Sequence, residues 1–232
     1  MSLYRIADVT VEMEVTGRTW KQAQAYRTPG DAPVDIRLEF DMERLMRLNP
    51  GVDDPELIQY LATGAMFAQK LLDFDGTFLH SSAIVLNGKA YLFSAPSGTG
   101  KSTHTEKWCR LYGARYLNDD KPALRCVDGV WMAYGTPWSG KYDLSSNEGV
   151  PIGGVAVLRR GEENSIVPLS PAQALPWVMG QSSYRLDRED MDKQLALLDR
   201  FLRQVPIWQL CCRNEDAAAQ VSHDAMVAAA GG

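Results

Sequence analysis

The chain has 232 residues, of which 45% are hydrophobic and 23% charged, and its formal net charge is −5. This composition is typical of a globular protein and excludes a disordered or fibrous chain. No apolar run is long enough to span a membrane, and the N-terminus lacks the apolar core of a signal peptide, so we expect a cytoplasmic protein. The negative net charge argues against a general nucleic-acid-binding surface.

The N-terminal part of the sequence predicts two strands followed by a helix. Residues 9–15 and 34–40 alternate apolar and polar side chains, as half-buried strands do. Asp53 or Asp54 can cap a helix that has Pro55 at its first position. The apolar spacing that follows predicts a helix of about five turns.

The sequence contains no repeat and no clear interdomain linker, and the best candidate boundary lies near residue 75. We expect residues 1–75 to pack on the core of a phosphate-loop domain that spans residues 76–232. Three later helices are predicted over residues 171–179, 187–204 and 214–229, introduced by Ser170-Pro171, Asp187 and Asn214.

Three hairpins are predicted in the second region. Asn87-Gly88 and Asp128-Gly129 each join two apolar segments, and both dipeptides readily adopt the positive φ angles of a tight hairpin turn. A third hairpin is predicted through Gly-Glu-Glu-Asn at 161–164. The predicted fold class is therefore α/β, with a mixed, largely antiparallel sheet and helices packed around it. A doubly wound parallel sheet, which needs crossover helices between its strands, is disfavoured.

The strongest motif is YLFSAPSGTGKSTHTEKW at 91–108, an apolar strand, a loop of small residues and a helix that opens with Lys-Ser. Gly98 and Gly100 allow the backbone to turn its N–H groups toward phosphate oxygens, and the helix N-terminus adds partial positive charge. Lys101 would neutralise the β- and γ-phosphates, and the Ser102 hydroxyl would join a Mg²⁺ shell. The motif predicts a P-loop, also called Walker A, that binds Mg·ATP.

Ala95 stands at the first glycine position of the P-loop motif, which is acceptable if its φ is negative. The alternative is a glycine-rich turn that only caps a helix. The predicted nucleotide-binding residues are Ser97, Gly98, Thr99, Gly100, Lys101, Ser102 and Thr103.

Asp119 and Asp120 follow a short apolar strand downstream of the loop. One carboxylate could coordinate Mg²⁺ together with Ser102, while the other accepts a proton from an attacking hydroxyl. Adjacent residues on an extended strand point in opposite directions, so at most one reaches the metal unless the strand has ended. The alternative is a solvated turn, since these residue types favour turns in any case.

His80 lies at the start of the strand that leads into the loop, where an imidazole could approach the transferring phosphoryl group. A lone histidine is more often structural, and His104 and His223 are interpreted in that way because they lie on predicted helices without ligand partners.

Residues 135–143, GTPWSGKYD, are predicted to form an acceptor-side loop in which Lys141 offsets charge on the transferring phosphoryl group. The alternative is a surface turn with Trp138 packed on the core. Arg159-Arg160 is interpreted as a solvated hairpin end, and Arg185 as a weaker candidate for contacting nucleotide or acceptor.

The loop motif at 97–102, Asp119-Asp120 and His80 together resemble the catalytic domain of the HPr kinase/phosphorylases and, more distantly, ATP-dependent phosphoenolpyruvate carboxykinase. The resemblance covers roughly residues 78–170. It implies a P-loop on a mixed sheet, an aspartate that serves as acid and base, and carboxylates that hold Mg²⁺. Thr103 stands where the HPr kinases carry an acidic residue.

The leading hypothesis is a stand-alone kinase-like member that transfers a phosphoryl group from Mg·ATP to a hydroxyl, such as a serine of a peptide, a protein or a small molecule. One alternative is a nucleotide-binding ATPase or sensor module without kinase activity. This alternative stays open because Thr103 stands at the position where the HPr kinases carry an acidic residue. Another is a carboxykinase-like enzyme that acts on a small acid. The acceptor, the base of the nucleotide and the oligomeric state, a homo-oligomer included, remain open. The role of residues 1–75 is open as well.

Overall fold

The computed structural model describes residues 2–30, 32–182 and 186–231. Within these ranges, none of the helices has both the length and the apolar character that crossing a membrane requires. The strands are β1 (Ser2–Ile6), β2 (Val9–Met13), β3 (Ile36–Leu38), β4 (Gly76–Phe78), β5 (Ser81–Leu86), β6 (Lys89–Ser94), β7 (Arg115–Asn118), β8 (Ala123–Val127), β9 (Val130–Tyr134), β10 (Gly149–Arg160), β11 (Ser165–Pro168) and β12 (Ile207–Cys212). The α-helices are α1 (Gly17–Ala23), α2 (Met42–Leu48), α3 (Pro55–Leu71), α4 (Lys101–Tyr112), α5 (Pro171–Ser182), α6 (Arg188–Gln204) and α7 (Asp216–Ala230).

The N-terminal strands form a separate three-stranded sheet in which β1 pairs antiparallel with β2, and β2 pairs parallel with β3. The two strands predicted over 9–15 and 34–40 are present as β2 and β3, and both are shorter than expected. Strand β1 was not predicted, because Ala7 and Asp8 form its hairpin turn with φ angles of 50° and 58°. These residues lack the Asn-Gly or Asp-Gly signal of such a turn.

Helix α3 begins as expected, with the Asp54 carboxylate accepting a hydrogen bond from the Leu57 amide and Pro55 at the first position. It ends at Leu71, and a short 3₁₀ turn follows. Its buried face shares one hydrophobic cluster with the N-terminal sheet and with residues beyond 75, including Phe78 and Trp138. Division of the chain at residue 75 stays a prediction.

The main sheet contains nine strands in the order β4-β8-β9-β10-β6-β5-β7, with β12 beside β10 and β11 beside β12. The hairpins at Asn87-Gly88 and Asp128-Gly129 are confirmed: both turn residues have positive φ in each, and they join β5 to β6 and β8 to β9.

The third predicted hairpin, through 161–164, is wrong. Strands β10 and β11 do not pair with each other, because β12 lies between them, parallel to β10 and antiparallel to β11. The competing strand is distant in sequence, so the local alternation pattern could not reveal the insertion.

The fold class is confirmed as mixed α/β. Strand β10 is parallel to β6 and to β12, whereas the other pairings described in this sheet are antiparallel. Along β10, Val155 and Val157 face the hydrophobic cluster under α5 and α6, while Ala156 and Leu158 face the cluster under α4 and α7. The sheet therefore forms the middle layer between two helix pairs.

The three helices predicted for the C-terminal part are present as α5, α6 and α7. Asp187 caps α6 by accepting a hydrogen bond from the Asp190 amide. Asn214 does not cap α7, because Glu215 occupies that position.

Gly135 lies where two segments cross so closely that a side chain does not fit. A Cβ atom there would overlap the carbonyl oxygen of Ser146 and lie 2.7 Å from that of Leu117. We expect Gly135→Ala to lower the free energy of unfolding by about 3 kcal/mol, measured by urea denaturation. Gly30→Ala is the control, because nothing lies within 4 Å of its Cβ position. An equal effect of the two substitutions would contradict the packing described here.

Candidate functional site

The loop that the sequence predicts to be a P-loop, residues 95–100, joins the end of β6 to the start of α4; it keeps that name below. Gly98 and Gly100 have φ angles of 76° and 115°, so both positions favour glycine on backbone grounds. Ala95 is buried and is not among the residues with positive φ, which is the condition under which alanine is acceptable there. Helix α4 starts at Lys101, so the first turn of a helix points its free amides at the loop.

Lys101 is largely buried, and its ammonium donates a 2.8 Å hydrogen bond to the carbonyl oxygen of Ala95 across the loop. Burial lowers the pKa of this ammonium, while the charges of Asp120 and Asp119 oppose the shift. The lysine therefore lies between the loop backbone and the two carboxylates.

Arg160 is exposed, as the sequence suggested, but it does not end a hairpin, and it contacts the loop. Its guanidinium donates a 2.7 Å hydrogen bond from Nη2 to the carbonyl oxygen of Gly98, in the loop. The reason is topological: β10 is parallel to β6, so the ends of both strands meet at the same edge of the sheet. Its neighbour Arg159 lies over the ring of Trp177, 4.4 Å from the ring centroid.

The chain turns immediately after β7, which settles how the two aspartates are oriented. The Asn118 side-chain oxygen accepts hydrogen bonds from the amides of Asp120, at 3.0 Å, and Lys121, at 2.8 Å. The strand has ended at this point, so the alternation of an extended strand no longer applies. Both aspartates line the same cleft, although their contacts differ.

Asp119 faces the P-loop side of the cleft. Its carboxylate accepts a 2.5 Å hydrogen bond from the Ser82 hydroxyl and lines the cleft together with Ser102, the residue after Lys101. Burial raises the pKa of this carboxyl, while the hydroxyls of Ser82 and Ser102 oppose the shift.

Asp120 faces the other side of the cleft, toward α3. Its Oδ2 accepts hydrogen bonds from the Tyr60 hydroxyl at 3.1 Å and from the Lys121 ammonium at 3.2 Å. Its Oδ1 lies 3.5 Å from Nε2 of His80. Burial raises the pKa of the Tyr60 phenol, so the hydroxyl stays protonated and can donate.

His80 is held in one orientation by Gln181. Its Nδ1 lies 2.9 Å from the Gln181 side-chain oxygen, which can only accept, so Nδ1 carries the proton. In the neutral ring, Nε2 then presents a lone pair toward Asp120. Burial, and next the charge of Lys101, lower the pKa of the imidazole, which favours this neutral form. The imidazole and the carboxylate can therefore take up one proton between them.

The segment 135–143 is both a packed turn and part of the cleft wall. The Trp138 side chain is fully buried and stacks on Phe67 at 5.0 Å between ring centroids. Two residues later, the Gly140 amide donates a 2.9 Å hydrogen bond to the Tyr60 hydroxyl. Lys141 is exposed and lines the cleft.

These groups surround one cleft of about 760 Å³. It brings together the predicted residues His80, Ser97, Gly98, Gly100, Lys101, Ser102, Thr103, Asp119, Asp120 and Lys141. Thr99 lines a neighbouring pocket instead. Arg185 lies outside the described residues. His104 is buried and hydrogen-bonded to Ser222, consistent with its structural interpretation.

The sequence did not single out several residues of the cleft. Tyr60 fell within the apolar stripe of α3 and had no signal of its own. Arg18 comes from the unpredicted helix α1, and its guanidinium lies 4.2 Å from the centroid of the Tyr60 ring. Gln181 lies in the last turn of α5, one residue before its end. These residues come from elements distant in sequence, so the spacing of motifs could not reveal them.

The cleft has groups that suit Mg²⁺ bound together with phosphate oxygens. Such an ion needs only one or two carboxylates from the protein. Asp119 and Ser102 line the cleft together beside the loop, and the described part of the chain shows no lysine or arginine in a salt bridge with Asp119. No group of three or more His, Cys, Asp or Glu among the described residues could hold a metal ion. The residues therefore fit a nucleotide-bound ion better than an all-protein site.

Comparisons with known proteins give a fold-level resemblance. No family model matches the chain, and neither does any curated protein. Among solved structures, the chain is similar to the HPr(Ser) kinase/phosphatase from Coxiella burnetii, at 12% sequence identity and a TM-score of 0.40. The match covers 67% of this chain and 93% of that one.

Tyr60 connects the loop after Trp138 to Asp120 through a single hydroxyl. We expect Tyr60→Phe to lower the free energy of unfolding by about 2 kcal/mol, because a buried amide loses its acceptor and a carboxylate loses a donor. Exchange of the Gly140 amide with solvent should accelerate in parallel. Tyr142→Phe is the matched control, since its side chain is mostly exposed. Unchanged stability and unchanged Gly140 exchange in Tyr60→Phe would rule out the bridging role.

Proposed function

We propose that the protein is a phosphotransferase that moves the γ-phosphoryl group of Mg·ATP to a hydroxyl, such as a serine of a peptide, a protein or a small molecule. The observation that carries this proposal is that Lys101 and Ser102 of the P-loop share one cleft with Asp119, Asp120 and His80. A phosphate-binding loop alone suits any nucleotide-binding protein, whereas a carboxylate-imidazole pair beside it suits chemistry at the γ-phosphate. We further propose that it acts in the cytoplasm.

The two aspartates would have different roles. Asp119 and Ser102 would hold Mg²⁺ with the phosphate oxygens, and the bound ion would neutralise charge on the β- and γ-phosphates. Lys101 would leave the Ala95 carbonyl and bind phosphate oxygens as a point charge. Lys141, on the opposite wall, would offset charge that develops on the transferring group.

Asp120 would act as the general base. Its carboxylate accepts the proton of the attacking hydroxyl while the new O–P bond forms and the bond between the γ-phosphorus and the bridging oxygen breaks, releasing ADP. His80 can share this proton because its Nε2 faces Asp120. Tyr60 and Lys121 hold the carboxylate in position on its other oxygen.

A second candidate is a nucleotide-binding ATPase or sensor. The observation in its favour is that Thr103 is exposed in the cleft at a position where an acidic residue would suit the metal. Within the described ranges, the acidic residues that line the cleft are Asp119 and Asp120. Incubation with γ-labelled ATP, Mg²⁺ and a cell extract separates the candidates. We expect label on a hydroxyl of a peptide, a protein or a metabolite other than a small carboxylic acid. Release of phosphate alone would favour the ATPase, and label in neither would favour the sensor. Label in a small carboxylic acid would favour the carboxykinase-like alternative.

Lys101 is the full positive charge that the loop itself supplies to the β- and γ-phosphates. We expect Lys101→Ala to weaken ATP binding by at least about tenfold in calorimetry, because the loop amides that remain provide direction but no net charge. Lys70→Ala, on the exposed surface of α3, is the control and should bind as the unmodified protein does. Equal affinities of Lys101→Ala and the unmodified protein for ATP would contradict the role of the P-loop in nucleotide binding.

Asp120 should contribute to turnover more than to nucleotide binding. Asp120→Asn keeps the shape of the side chain but removes its basicity, so single-turnover transfer to the identified acceptor should fall by roughly two orders of magnitude. ATP affinity should change only modestly. Asp119→Asn should instead weaken the Mg²⁺ dependence of ATP binding, because its carboxylate faces Ser102. If both variants react as fast as the unmodified protein, the kinase mechanism is wrong and the sensor is favoured.

A further inference from the structure

A second pocket, of about 550 Å³, opens on the other side of the P-loop. It shares Gly98, Gly100 and Thr103 with the cleft, so the two spaces meet at the loop. The rest of its wall comes from the side of α4, the end of β10 and the turn between β12 and α7. Neither the proposed chemistry nor the sequence motifs account for this pocket.

The charges of the second pocket differ from those of the cleft. Lys107, Arg160 and Arg213 line it, and no carboxylate does so within the part of the chain that the structure describes. The cleft, by contrast, contains both aspartates. A triphosphate whose γ end lies at Asp119 and Asp120 has its α end directed away from them. The excess of positive charge therefore suits the α-phosphate end of the same ligand.

The turn between β12 and α7 is held in place by side chains. The Asn214 side-chain oxygen accepts a 2.6 Å hydrogen bond from the Lys107 ammonium, which fixes the amide with its NH₂ group as the remaining donor. One residue earlier, the Arg213 amide donates to the Asn164 side chain at 2.9 Å. The asparagine is thus preorganised, although it lies on an exposed turn.

His104 provides a buried aromatic part of the pocket wall. The Ser222 hydroxyl donates to the carbonyl of Ala219 and accepts from the Trp108 ring N–H, so it must also accept from Nε2 of His104. Nε2 therefore carries the proton. The ring is buried and packs on Phe93, with 4.8 Å between the two ring centroids. An aromatic wall beside the cationic side chains suits a nucleoside attached to phosphate.

We propose that this second pocket binds the nucleoside half of the nucleotide, with Lys107 and Arg160 beside the α-phosphate and ribose and the Asn214 amide donating to an acceptor atom of the base. The inference rests on the proposed function, since it assumes that the P-loop holds the phosphates. It assigns recognition of the base to the turn after β12. No sequence motif identifies this turn.

Calorimetry with two probes, ATP and inorganic tripolyphosphate, tests this assignment. Tripolyphosphate occupies the P-loop but has no nucleoside. We expect Asn214→Leu to weaken ATP binding at least tenfold and to change tripolyphosphate binding less than twofold. Asn214→Ala, which only truncates the side chain, should give a smaller loss for ATP in the same direction. Asn49→Leu, at the exposed end of α2, is the matched control and should change neither affinity.

The outcomes separate the inference from the proposed function. Unchanged ATP affinity in both Asn214 variants, with tripolyphosphate still bound, would overturn the nucleoside pocket and leave the P-loop intact. An equal loss for both probes would also overturn it, because the turn would then act on phosphate and not on the nucleoside. If the unmodified protein binds neither probe, the proposed function fails, and the inference fails with it.

Discussion

The candidate site depends on one constraint, the direction of four adjacent strands. Strands β10, β6 and β7 end at the same edge of the sheet, and the antiparallel strand β5 begins there. That edge therefore collects the end of β10 with Arg160, the P-loop after β6, His80 just before β5, and Asp119 just after β7. Hydrogen bonds then tie neighbours together, as when the Ser94 hydroxyl donates to the carbonyl of His80 at 2.9 Å. A change in the direction of any one strand would remove a member from the site.

Loss of contact with water shifts the pKa values of several groups in the cleft. Lys101 and His80 lose water, which lowers both pKa values, whereas the same loss raises the pKa of the Asp119 carboxyl. These shifts bring the pKa values of the acidic and basic groups closer to one another. Similar pKa values are the condition for moving a proton between such groups near neutral pH. The Asp120 carboxylate has other contacts, because Tyr60 and Lys121 donate hydrogen bonds to it. Two adjacent residues of one type thus have different environments.

The sequence predicted the features that depend on short segments, and missed those that depend on long-range pairing. The strand, loop and helix of residues 91–108, the turns at Asn87-Gly88 and Asp128-Gly129, and the start of α3 follow from a few neighbouring residues, and each is present. The predicted turn at 161–164 was wrong because β12 inserts beside β10 from far along the chain. The same parallel geometry brings Arg160 to the loop, so the environment of this arginine could not be inferred from its neighbours.

The N-terminal region does more than cover the core. Tyr60 of α3 contacts both Asp120 and Gly140, and the Gln22 amide of α1 donates a 2.9 Å hydrogen bond to the Gly140 carbonyl. Both backbone polar groups of Gly140 are therefore paired with side chains from before residue 75, and its own Cβ position lies 3.2 Å from the Cβ atom of Asp120. The cleft wall around Asp120 is thus formed jointly by residues from before and after position 75. We expect a change in how α1 and α3 pack to shift Asp120 through Tyr60 and Gly140, even though the predicted P-loop lies entirely after residue 75.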